Sequence, residues 1–226
     1  MARKVLLLFA FAIVAPALGA DTASKPTTGS ALGVGTVFLS NPVADLGHQT
    51  LTDRKDADYA ALSPAYHDAE VILHEYGHAI HFSQGFVFGS AEAAAISEGF
   101  GDYWAVTVSS VVTPTPDPAC VADWDAISYT SLVPHCLRRV DRNLHYPEDL
   151  NGEVHHDGQI WSRALWDIRQ AVGHVKADTL ILEAQFGFPG TTMRDLAART
   201  VAVAANLYGR AVATQVRAAF VNRGLL

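Results

Sequence analysis

The chain of 226 residues is short of charge, of basic residues and of cysteine. Only 17% of its residues are charged and 50% are hydrophobic, which excludes a chain too polar to collapse. Its 16 Lys and Arg stand against 23 Asp and Glu, a formal net charge of −7. With no basic excess to neutralise phosphates, nucleic acid is not an expected partner. The longest apolar run, Val5–Ala17, falls short of the ~20 residues that cross a bilayer. Strand-like alternation is scarce, and no internal repeat or low-complexity tract occurs.

What is present is ordered along the chain. Arg3 and Lys4 precede the apolar run, and the small residues Ala15, Ala17, Gly19 and Ala20 lead to the polar Asp21. This predicts a signal peptide over residues 1–20, cleaved after Ala17 or Ala20. The product is then secreted, extracellular or periplasmic, with no membrane association after cleavage. The two cysteines, Cys120 and Cys136, lie in a stretch rich in Pro, Asp and Ser. In an oxidising compartment they are expected to pair, which stabilises a loop of this size by ~3 kcal/mol on the chain-entropy argument.

Residues 21–62 read as a short irregular segment with one strand, Gly35–Leu39. Residues 63–226 read as one helical domain. Ser63-Pro64 starts its first helix, which runs to about Gln84 and is stopped by Gly85. A second helix follows from the cap Ser90 to Val112. Residues 114–157 are mostly irregular, a length that usually carries function or a disulfide. Helical patterns return at Gln159–Val172, Lys176–Phe186, Met193–Tyr208 and Arg210–Asn222, with Thr192 and Asp195 as a capping pair. The fold class is therefore mainly α, with a reduced β part. Trp161, Trp166 and Phe186 fall at helical positions and are expected in the core.

The chemistry concentrates in His74-Glu75-Tyr76-Gly77-His78. Histidines at i and i+4 share one helix face, so their rings can converge on one ion. A Glu beside the first His can reach a water on that ion, the H-E-x-x-H pattern of zinc peptidases. Catalytic zinc takes three protein ligands and keeps one position open. Glu98, on the second helix, is the candidate third ligand. Asp102 lies one turn further on the same face and can accept the free ring N–H of a ligating His. His67 and His81 share the helix face with His74 and His78 and are read as neighbours, because neither completes a standard ligand spacing.

His74-Glu75-x-x-His78 followed by Glu98-Gly99-Phe100-Gly101-Asp102 resembles the thermolysin-like zinc metallopeptidases (gluzincins), and among them the fungalysin group and its bacterial relatives. The resemblance continues through Gly152-Glu153-Val154-His155, Gly158-Gln159-Ile160-Trp161 and Ala164-Leu165-Trp166-Asp167. It implies a thermolysin-like helical catalytic core, one catalytic Zn2+ held by His74, His78 and Glu98, and protein or peptide substrates. It also implies Glu75 as general base and His155 as the residue that stabilises the transition state, with His156 as the alternative. Asp149 or Asn151 is expected to orient that His. Calcium, frequent in the group, is possible but not placed by these residues.

The resemblance also implies a sizeable β-rich lobe before the zinc helix, with a strand that pairs with substrate. Only residues 21–62 occupy that place here, so a truncated N-terminal β lobe is expected. Three readings follow. The first is a secreted zinc metalloendopeptidase. The second is a non-catalytic domain that keeps the ligands but lacks the lobe, and the third is a zinc hydrolase acting on a small non-peptide substrate.

Overall fold

The computed structural model describes residues 69–112 and 114–226. The expected signal peptide, the segment 21–62 with its strand, the helix start at Ser63-Pro64 and His67 all lie outside them. The described elements are helices α1 (Ala69–Ser83), α2 (Ala91–Val112), α3 (Val154–Val172), α4 (His174–Gln185), α5 (Met193–Tyr208) and α6 (Arg210–Val221). Between α2 and α3 lie two short strands, β1 (Cys120–Val121) and β2 (Arg138–Arg139), and a 3-10 turn at Asp125–Ser128. Mainly α with little β is what the pattern predicted. Among the described residues no helix is long and apolar enough to cross a membrane.

Local chemistry sets the helix ends. The Ser90 hydroxyl accepts the Ala93 N–H and starts α2. Thr192 and Asp195 form a reciprocal capping box at α5. One boundary differs from the sequence reading. Helix α3 begins at Val154, not Gln159, so His155 and His156 stand in its first turn and not in a loop. Its cap is Glu153, whose carboxylate accepts the amides of His155 and His156. A Glu is outside the usual set of capping residues, so the sequence gives no start signal at Val154.

Helix α2 is the central element, packed between α1 and α3. Ile96, Phe100, Tyr103 and Val106 on α2 are fully buried, as are Ile160, Trp161 and Leu165 on α3. Each large side chain so buried contributes roughly 1.5–3 kcal/mol. Trp161 stacks on Phe220 of α6 with ring centroids 5.5 Å apart. Trp161 and Trp166 are core residues as expected, whereas Phe186 caps α4 and is only half-buried. A partly buried polar chain ties three helices: Arg169 on α3 donates to Thr107 on α2, and Thr107 and Tyr103 both donate to Asp178 on α4.

Two backbone crossings bring the helices close. A Cβ on Gly77 would lie 2.9 Å from Gly101 Cα, so α1 and α2 meet there without side chains between them. A Cβ on Gly99 would lie 2.2 Å from the Gly158 carbonyl oxygen, and α2 meets α3 the same way. Such approaches admit only glycine.

The antiparallel β1–β2 ribbon pairs Cys120 with Arg139 and Val121 with Arg138. Its two cysteines are joined as a Cys120–Cys136 disulfide, in line with the expectation. Val121, Ala122 and Val140 pack on Val106 and Trp166, which seats the ribbon against α2 and α3. Glu70 in the first turn of α1 accepts the Ala122 amide and the Ser109 hydroxyl, fixing the bend at Ala122. The ribbon therefore delivers Arg138 to a defined place beside α2.

Candidate metal centre

His74 and His78 stand one turn apart on α1, their rings edge to face with centroids 4.9 Å apart. Glu98 faces them from α2. Its Oε2 lies 3.2 Å from His74 Nε2, and its Oε1 lies 3.6 Å from His78 Nε2. One ligand atom from each of the three residues falls within 4.8 Å of the others. Around an ion with bonds of ~2.0–2.1 Å, the edges of a tetrahedron are ~3.3–3.4 Å long. The two distances run to different oxygens of Glu98 and each lies within a few tenths of an ångström of that figure, and two imidazoles with one carboxylate are a zinc donor set.

The other ring nitrogens are occupied. His74 Nδ1 lies 2.9 Å from Asp102 Oδ1, and His78 Nδ1 lies 2.8 Å from Ser97 Oγ. With a partner on each Nδ1, both rings present Nε2 to Glu98. The close crossing at Gly101 makes this possible, since a Cβ there would strike the His74 ring at 2.7 Å.

His155 comes from the start of α3. Its Nε2 lies 3.4 Å from Glu98 Oε2, and its Nδ1 lies 2.6 Å from Glu153 Oε1. His156 turns aside, with Nδ1 3.3 Å from Asp157. Of the adjacent pair, His155 is the one brought to the centre. The residue against its ring is Glu153, which corrects the expectation of Asp149 or Asn151. Asp149 instead accepts the His145 amide, and Asn151 accepts the Glu153 amide. Glu75 is exposed on α1, next to His74.

His81 is a neighbour and not a donor at this centre. Its ring is wholly buried between Phe86 and Phe100, with centroids 4.3 and 4.5 Å away. A second group with three potential donors, Asp117, Cys120 and Cys136, has both sulfurs spent in the disulfide. Neither group is the all-oxygen set that calcium takes.

The family model of the fungalysin metallopeptidases (M36) matches residues 60–224. The chain belongs to that family. No curated protein matches it. Fungalysin membership makes it a zinc metallopeptidase by family, with protein or peptide substrates.

In this fungalysin chain the sequence reading missed Arg138, Ser97 and Glu153. Arg138 donates a two-pronged pair of hydrogen bonds to Asp102, from Nε at 2.7 Å and Nη2 at 2.8 Å. Burial works against the Asp102 charge, but the hydrogen bonds from His74 and Arg138 outweigh it and hold its carboxyl below the usual range. Burial also opposes a charge on His74; hydrogen bonds to Asp102 and Glu98 win, and in the metal-free chain its ring is pushed up to about 9. Burial, followed by the charge on His74, lowers His78. Glu98 is lowered too: burial raises it, but the bond to His74 and the charges of the surrounding histidines prevail. The metal-free centre thus holds ionised carboxylates against a His74 ring that carries an extra proton at neutral pH, and a divalent cation entering it would displace that proton. Of the missed residues, only Glu153 stood within the quoted motif.

Proposed function

We propose that the chain is a secreted zinc metalloendopeptidase, with His74, His78 and Glu98 as zinc ligands, Glu75 as general base and His155 as the donor to the oxyanion. The single observation that carries the reading is the Glu98 carboxylate, met by three imidazole Nε2 atoms at 3.2–3.6 Å. Two of those rings are backed on Nδ1 by Asp102 and Ser97 as ligands are; the third is half exposed and backed by Glu153.

Zinc, when bound there, supplies a Lewis acid that lowers the pKa of a water towards ~7 and polarises a carbonyl. Glu75 is exposed beside the ligand pair, where a carboxylate can take the proton of the attacking water and pass it to the leaving amine. His155 has Nδ1 spent on Glu153, so in the doubly protonated ring Nε2 is the nitrogen left to donate to an oxyanion. A donor of this kind is worth roughly 3–4 kcal/mol of barrier. Asp102 and Arg138 keep His74 oriented. Export follows from the signal peptide read over residues 1–20, and a protein or peptide is the substrate class.

The test uses the full chain. Zinc per chain is measured, and cleavage of casein or a quenched peptide is followed with and without chelator. Glu75→Gln is expected to keep the metal and lower kcat by ~10²–10⁴. One zinc per chain with no chelator-sensitive cleavage overturns the peptidase reading in favour of a non-catalytic zinc domain. Unchanged zinc affinity in Glu98→Ala overturns the ligand assignment.

A further inference from the structure

We infer that Ser97 and His81 are positioning residues that decide which nitrogen of His78 is free to bind zinc. The inference rests on the reading of His78 as a zinc ligand backed by Ser97, and adds His81, to which that reading gives no part.

Ser97 is buried on α2, and its Oγ lies 2.8 Å from His78 Nδ1 and 3.0 Å from His81 Nδ1. A hydroxyl has one proton to donate, and a neutral imidazole carries its proton on one nitrogen. With the Ser97 O–H kept between the two rings, the three groups have two self-consistent orders. In the first, His78 Nδ1–H donates to Ser97 Oγ, and the Ser97 O–H donates to His81 Nδ1. In the second, both bonds run the other way. Only the first leaves a lone pair on His78 Nε2, the atom that faces Glu98. The second puts a hydrogen there and blocks ligation.

His81 selects between them. Its ring is sealed between Phe86 and Phe100, so water cannot substitute for its partners. On its far side, His81 Nε2 and both amide atoms of Gln185 from α4 are buried without a hydrogen-bond partner, and Gln185 is the polar group close enough to act on the ring. A Gln185 carbonyl oxygen that accepts from His81 Nε2–H leaves Nδ1 bare, which is the acceptor the Ser97 hydroxyl needs. Burial also pushes the His81 ring down to about 3, so it does not become a donor on both sides. The proton order then runs from His78 through Ser97 and His81 to Gln185. A serine and an inert histidine in the core thereby hold a ligand in the tautomer the metal requires.

The experiment compares the full chain with Ser97→Ala, Ser97→Thr and His81→Phe. Zinc Kd is measured by competition with a chromophoric chelator, and thermal unfolding is followed without metal. Ring 15N spectra are recorded on the zinc-loaded wild type. Ser97→Ala and His81→Phe are expected to weaken zinc binding ~10–100-fold, the usual effect of losing a group that orients a ligand. Ser97→Thr restores it to within a few-fold, and the 15N pattern shows His81 protonated at Nε2 and bare at Nδ1. Undiminished affinity in both variants, or a proton on His81 Nδ1 in the zinc-loaded chain, overturns the inference and leaves the zinc centre standing. If a variant fails to fold, the wild-type 15N pattern decides. A wild type that takes up no zinc overturns the metal centre and this inference together.

Discussion

His74 and His155 both reach Glu98, and they are held in opposite ways. His74 is buried, with Asp102 behind it and the Arg138 fork behind Asp102. His155 is half exposed at the start of α3 and depends on Glu153, itself at the surface. A ligand gains from a fixed ring that needs no reorganisation on binding an ion. A group that meets substrate must stay at the surface. On the proposed reading the difference separates metal holding from substrate handling within a few ångströms, and substitutions on the two sides should separate likewise.

The largest effect is expected on the exposed side. His155→Ala should lower kcat by ~10²–10³ and leave zinc stoichiometry at one, as removal of an oxyanion donor does. Equal losses of zinc and of activity would erase the distinction between the two sides. Next is the ribbon that carries Arg138. Replacing Cys120 and Cys136 together by Ser should cost ~3 kcal/mol of stability in denaturant titration. An unchanged midpoint would mean that packing on Val106 and Trp166 alone holds the ribbon. On the buried side, Asp102→Asn should weaken zinc ~10–100-fold with little change in kcat of the zinc-saturated chain. A kcat that falls while zinc affinity holds would reverse the assignment of sides.

The last comparison concerns pH. In the folded chain His81 is lowered from 6.5 to about 3 by burial. Between those values the unfolded chain binds the extra proton. His81 therefore subtracts stability as pH falls from about 6.5 towards 3, and has no such effect above about 7.5. With chelator present, wild type should lose more stability than His81→Phe between pH values of about 7.5 and 4.5. Parallel losses would remove His81 as the source.

The grouping of His74, His78 and Glu98 was legible because it is local. His74 and His78 are one helical turn apart, and Glu98 and Asp102 repeat that interval on the next helix. The helices were legible from their periods and caps, and the disulfide from cysteine count. Arg138 was not, because it reaches Asp102 from a ribbon with no period, set by packing on Val106 and Trp166. Ser97 was not, because a buried serine on a helix carries no signal until two rings are found against it. The choice between His155 and His156 needed the start of α3, and that start was hidden by an unusual cap. Glu153 supplies both the cap and the grip on His155, so one misread residue concealed two facts.

At Gly99 and Gly158 the main chains of α2 and α3 touch. The span from Glu98 to His155 is consequently gauged by peptide against peptide, with no compressible filling between. Mutations elsewhere in the interior can swell or shrink without altering that gauge. A single methyl at residue 158 would enter as a wedge, 3.0 Å from the Glu98 Cβ, and prise apart the two sides of the site while the rest of the bundle kept its shape.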